Sequence, residues 1–152
     1  MGHRMPSGTQ IMAVKLGGKG DITATNRLWQ KQLPREYIGS GIVANGCVFL
    51  IADNGTALCL DIKTGESKWQ QRLKGASGGP GGSWSSIVRV GNRLLITNHS
   101  GVTFVVKAAP TFELLQTNPI SKEKTCASLA LSDGQVFVRT HESLWCIGKA
   151  TH

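Results

Sequence analysis

The apolar residues of this chain come in short runs cut by Gly, Asn, Asp and Ser, and no window keeps a helical period of 3.6 for long. Cys47-Val48-Phe49-Leu50-Ile51 is followed by the turn residues Asp53-Asn54-Gly55 and then by Leu58-Cys59-Leu60-Asp61. Two β-rich runs around an Asn-Gly turn predict a β-hairpin. The arrangement recurs 46 residues later as Arg93-Leu94-Leu95-Ile96-Thr97, His99-Ser100-Gly101 and Phe104-Val105-Val106-Lys107. A further copy, one residue shorter at the turn, reads Gln135-Val136-Phe137-Val138-Arg139, His141-Glu142-Ser143 and Leu144-Trp145-Cys146-Ile147.

Each hairpin is preceded by another short strand: Gly41-Ile42-Val43-Ala44, Ser86-Ile87-Val88-Arg89-Val90 and Ser128-Leu129-Ala130-Leu131. These end in the turn pairs Asn45-Gly46, Gly91-Asn92 and Asp133-Gly134. A fourth strand follows the first two hairpins, ending in Trp69-Gln70-Gln71-Arg72-Leu73 and Phe112-Glu113-Leu114-Leu115. One unit is therefore four antiparallel strands in about 42 to 46 residues, the size of a propeller blade. The expected organisation is a disordered or truncated start over 1–10, a two-stranded partial blade over 11–33, complete blades over 41–73 and 84–116, and a three-stranded last blade over 126–149. A stack of helix pairs is excluded, and the fold class is all-β, a partial β-propeller.

The stretch Cys59-Leu60-Asp61-Ile62-Lys63-Thr64-Gly65-Glu66-Ser67-Lys68-Trp69 resembles the Ala-x-Asp-x-x-x-Gly-x-x-x-Trp docking motif of pyrroloquinoline-quinone-like (PQQ-like) propeller repeats, with Cys in the Ala place. The resemblance implies that Asp61 and Gly65 shape the turn between the last two strands and that Trp69 packs between blades; those residue types suit such roles. Met12-Ala13-Val14-Lys15-Leu16, a longer Gly17–Asp21 loop and Arg27-Leu28-Trp29 form a looser copy with Trp29 in the docking place. The next blade is read as keeping the spacing but not the residues, with Lys107, Thr111 and Leu115 where Asp, Gly and Trp would stand. The chain looks similar to bacterial PQQ-like repeat proteins related to the lipoprotein of the outer-membrane barrel-assembly machinery. That likeness implies a bacterial cell-envelope or periplasmic setting, although Met1 to Gly8 has no apolar run of a signal peptide. In closed members of such families a strand from the N-terminus completes the last blade, so the remaining blades of a parent propeller are expected beyond this chain.

Composition sharpens this picture at only a few points. The formal charge of +8 comes from scattered basic residues, with no dense run and no basic helix, and nucleic acid is not an expected partner. No stretch is long and apolar enough for a transmembrane helix. The four cysteines include no CxxC pair, which argues against structural zinc, and Cys59 and Cys146 lie within apolar runs where a thiol acts as a small buried hydrophobe. The Gly75–Gly82 loop lacks the Lys and Ser/Thr of a phosphate loop and reads as a connector between blades. The sequons at Asn54 and Asn98 read as turn chemistry.

In a propeller, the loops between second and third strands share a face with the connectors from blade to blade. Tyr37, Asp53, Trp84, Asn98, His99 and His141 fall on that candidate binding face. The two histidines are either idle turn residues or, from equivalent turns, converge on a common ligand. No nucleophile elbow, zinc-protease motif or paired carboxylates appear, and the adjacent cysteines and calcium cluster often found in quinoprotein dehydrogenases are missing. The expectation is a non-catalytic module that binds protein or ligand, with no cofactor. The alternative is a piece of a quinoprotein-type oxidoreductase whose catalytic residues lie in other blades, and for the parent the question of catalysis stays open.

Overall fold

The computed structural model describes residues 8–74, 82–120 and 122–148. The strands are β1 (Thr9–Val14), β2 (Arg27–Leu33), β3 (Ile42–Ala44), β4 (Cys47–Ile51), β5 (Thr56–Asp61), β6 (Ser67–Arg72), β7 (Val88–Val90), β8 (Arg93–Thr97), β9 (Val102–Lys107), β10 (Leu114–Pro119), β11 (Ala130–Ser132), β12 (Gln135–Arg139) and β13 (Leu144–Ile147). A single helical turn, α1 (Thr23–Asn26), sits in the loop between β1 and β2. The strands form four antiparallel sheets in the orders β1-β2, β3-β4-β5-β6, β7-β8-β9-β10 and β11-β12-β13. Apart from strand ends, this is the succession of two, four, four and three strands that the repeat predicts.

Local chemistry sets the hairpins. Asn45 and Gly46 have φ of 50° and 75°, and Asp133 and Gly134 of 49° and 74°, so both central residues of each turn are left-handed. That is the type I′ geometry whose twist matches the strands it joins. Strand β1 starts at Thr9, two residues earlier than expected, because Thr9 still pairs with Leu33 and its N–H reaches the Arg35 carbonyl at 3.2 Å.

Strands β5 and β9 are buried along nearly their whole length. A strand inside a blade is covered on both faces, since blades stack face to face and successive side chains point to opposite neighbours. In β5, Leu58 and Leu60 join Leu33, Ile11 and Trp29 toward the first sheet, while Ala57 and Cys59 join Phe104, Val106 and Leu94 toward the third. The core is thus two apolar layers between blades, and Phe49, Ile51 and Phe104 are its largest members at 1% exposure each.

A polar seam accompanies these layers. The Ser40 N–H donates to Ser86 Oγ at 3.0 Å, and the Ser86 N–H donates to Ser128 Oγ at 2.9 Å, so equivalent serines link one blade to the next. Asn45 Nδ2 adds a second link, donating to Asn92 Oδ1 at 2.8 Å and to the Ala108 carbonyl at 2.6 Å.

Two expectations need correction. The third sheet does not keep the docking spacing: the Lys107 N–H bonds to the Glu113 carbonyl, whereas Asp61 bonds to Glu66. The turn is one residue longer, so Gln116 pairs with Val105 as Trp69 pairs with Cys59, and Leu115 falls in the bulge. Strand β10 also runs on to Pro119, past the expected limit at 116. Cys146, expected to be buried, is exposed, because β13 is the outermost strand of its three-stranded sheet.

Candidate functional site

The docking residues lie where one blade meets the next. Trp29, in β2, donates from Nε1 to the Ile62 carbonyl at 2.8 Å, and its ring rests on Gly65. A Cβ at Gly65 would come within 2.7 Å of that ring, and Gly65 also has φ of 72°; both the seat and the turn demand glycine. Asp61 builds the same turn by accepting from the N–H groups of Lys63 at 2.8 Å and Thr64 at 3.2 Å. Those bonds, the one from Lys63 first and with help from the Lys68 ammonium, hold its carboxyl below the ordinary range. Trp69 repeats the arrangement one blade on, donating to the Ala109 carbonyl at 3.0 Å. There the seat is aromatic: Phe112 meets the Trp69 ring edge-on at 5.1 Å and Phe49 lies at 6.0 Å.

The candidate binding face is assembled by a second repeated contact. Asp53, His99 and His141 occupy equivalent places just after β4, β8 and β12. The N–H of Asp53 bonds to the Glu36 carbonyl at 2.9 Å, that of His99 to Gly82 at 2.8 Å, and that of His141 to Lys124 at 2.9 Å. Each turn is thereby tied to the connector entering its own blade. Asn98 serves its turn: its side chain is buried, and Oδ1 accepts from the Ser100 and Val102 N–H groups at 3.1 and 2.9 Å.

Between the Asp53 and His99 turns lies a cleft of about 370 Å³, lined by Asp53, Asn54, Arg72, Gly82, His99, Ser100 and Lys124. Gly82 is its floor. A Cβ there would stand 2.5 Å from the Asp53 carbonyl oxygen and 3.4 Å from His99 Nδ1. Trp84 is 49% exposed and meets the His99 ring edge-on at 4.9 Å. Burial first, and the nearby His141 second, lower the His99 pKa below its ordinary value, favouring the neutral ring. Tyr37, half-buried beside Leu33, Leu58 and Leu60, has its phenol pushed up by burial, with Arg35 opposing and Asp53 adding to the rise.

Polar atoms in this wall are left without partners. Among the described residues Asp53 Oδ1, Asn98 Nδ2 and His99 Nε2 are buried with no hydrogen bond. Buried polar groups are nearly always paired, and orphans of this kind gather at working sites. The six residues expected on this face are therefore not equivalent. Asp53 and His99 line the cleft, Trp84 packs on the His99 ring, Asn98 holds the His99 turn, Tyr37 packs on Leu33, Leu58 and Leu60, and exposed His141 stands one turn further on. Sequence reasoning missed Arg72, at the end of β6, and Lys124, in the last connector. Extending the repeat to the connectors finds the latter, since Glu36, Gly82 and Lys124 are spaced by 46 and 42 residues, like the turns they hold. Most of the Gly75–Gly82 connector lies outside the described residues.

Stacked four-stranded antiparallel blades, tied at a common face, define a β-propeller array. The profile of the PQQ-like repeat family described as "Outer membrane protein assembly factor BamB" matches residues 3–71. Among solved structures, BamB from Moraxella catarrhalis superposes with a TM-score of 0.62 at 17% identity, covering 80% of this chain and 37% of its own. The quinohemoprotein alcohol dehydrogenase of Comamonas testosteroni superposes with a TM-score of 0.52 at 13% identity, covering 68% of this chain and 17% of its own. The computationally designed Ika4 protein gives a TM-score of 0.58 at 18% identity, covering 80% of this chain and 73% of its own. These likenesses show the fold, and the chain spans 37% and 17% of the two natural proteins. No curated protein sequence matches the chain. Among the described residues no helix is long and apolar enough to cross a membrane.

Proposed function

We propose that this chain is a non-catalytic propeller module whose turn-and-connector face, carrying Tyr37, Asp53, Trp84, Asn98, His99 and His141, binds a partner protein in the bacterial cell envelope. The observation that carries this reading is the repeated bond from Asp53, His99 and His141 to the connector carbonyls. It sets three equivalent turns in line on rigid blades, and a row of preset turns is what a protein-binding surface needs. The likeness to BamB supports the envelope setting and the further blades of a parent propeller as parts of this reading.

No cofactor is assigned to these blades. A calcium and quinone centre fits the cleft poorly, because among the described residues Asp53 is its one carboxylate and two cations, Arg72 and Lys124, share its lining. Calcium asks for about six to eight oxygen ligands.

Photo-crosslinking in the native host tests the proposal. With p-benzoylphenylalanine at position 84 a discrete cross-linked protein is expected, and the same probe at Lys63, in the docking turn, gives none. Identical patterns from both positions, or none from either, defeat the reading. A stoichiometric quinone spectrum on titration with PQQ restores the oxidoreductase alternative.

A further inference from the structure

Among the described residues, Arg72 and Lys124 take part in no ion pair, although both line the cleft between the Asp53 and His99 turns. Two unmatched cations facing one concavity raise the local potential for an anion, more so on a chain of net charge +8. An inorganic anion would leave the rest of the wall unused. Asp53 stands in the same cleft and its carboxylate accepts hydrogen bonds only, so it is served by a ligand that also brings an N–H. The Trp84 ring, half-exposed against His99, offers an apolar plane to a chain that runs on past the cleft, which a small ion does not cover.

One ligand meets these demands: a carboxylate for Arg72 and Lys124, a nearby N–H for Asp53, and a chain that continues from the cleft over Trp84. We infer that the cleft takes an acidic side chain, presented on an extended segment of the partner protein whose backbone N–H groups face Asp53. This rests on the proposed docking face and names what that face recognises. Arg72 fixes the carboxylate by charge-assisted hydrogen bonds and Lys124 as a point charge. Gly82 keeps the floor low enough for the segment to lie between the turns, since a Cβ at that position already collides with Asp53.

The test is a two-dimensional amide NMR titration of the full chain with end-blocked Ala-Glu-Ala, end-blocked Ala-Gln-Ala and sodium acetate. The Glu peptide is expected to shift Gly82, His99, Ser100 and Lys124 saturably. The Gln peptide and acetate are each expected to bind about tenfold more weakly, the worth of one charge-assisted contact. Arg72→Gln and Lys124→Gln, both at exposed positions, are expected to cost a similar factor while leaving the rest of the spectrum in place. Equal binding of the Glu and Gln peptides overturns the carboxylate assignment, and acetate matching the Glu peptide overturns the need for a chain. If no probe binds at the cleft while cross-linking from position 84 succeeds, the acidic segment is refuted and the docking face stands.

Discussion

At the residue scale, Trp69 and His99 show how much of a side chain's meaning lies in what it meets. The ring of Trp69 spans a blade interface and its indole N–H reaches the Ala109 carbonyl. Trp69→Ala is expected to lower stability by about 3 to 5 kcal/mol, whereas Trp69→Phe, which keeps a ring and loses one hydrogen bond, costs about 1 to 2 kcal/mol. Urea unfolding of the two variants separates packing from hydrogen bonding. His99 carries a pH dependence. Its folded pKa lies below the ordinary value of 6.5, so as pH falls the unfolded chain takes up the proton first. Stability is unaffected by His99 above about 6.5, declines as pH falls from there toward the depressed folded value, and is flat below it. His99→Gln flattens that decline in unfolding curves taken from neutral to mildly acidic pH. The motif residues Asp61, Gly65 and Trp69 stand out in the sequence because each has a local reason to be there. Arg72 and Lys124 do not, because an unpaired surface cation looks like any other until the fold brings two to one cleft.

At the element scale, a strand's neighbours decide what its residues experience. β5 and β13 have similar sequences, Thr-Ala-Leu-Cys-Leu-Asp and Leu-Trp-Cys-Ile, each with a cysteine among apolar residues. In β5, inside its sheet, burial pushes the Cys59 thiol up to about 12, with Cys47 adding to the rise. In β13, at an edge, Cys146 is exposed. Iodoacetamide at neutral pH is therefore expected to alkylate Cys146 in the native protein while sparing Cys47 and Cys59 until denaturant is added. Mass spectrometry of the digested protein reads the order directly. Modification of Cys59 at the rate of Cys146 would mean that the blades separate easily. The same scale explains the displaced fourth strand of the third blade. One extra residue between Lys107 and Glu113 moves Gln116 into the docking register, and the sequence offers no apolar marker for such a shift.

At the scale of the molecule, the apolar layers among the described residues join consecutive sheets, so stability is a sum of blade and interface contributions more than of one central core. The two apolar layers lie on either side of β3–β6 and hold β5 under cover, and one of them also covers Val102, Phe104 and Val106 of β9. Hydrogen exchange is expected to be slowest in β5 and β9 and fastest in β13 and β10, whose residues are exposed throughout. Uniform protection across all four sheets would point to one all-or-none unit.

What the sequence determined by itself was the repeat: strand order, hairpin turns at Asn45-Gly46 and Asp133-Gly134, and the docking motif at Asp61, Gly65 and Trp69. These are legible because turn chemistry and period-two patterning act over a few residues. The position of the face carrying Asp53, His99 and His141 also followed from the repeat, as any property fixed within one unit does. What only the tertiary structure decided was how neighbouring units combine: which wall of the face has orphaned polar atoms, that Gly82 forms a floor, and that Arg72 from one blade and Lys124 from the connector to another line a single cleft. Those relations cross blade boundaries. They depend on distances between residues up to 71 positions apart, which no local pattern encodes.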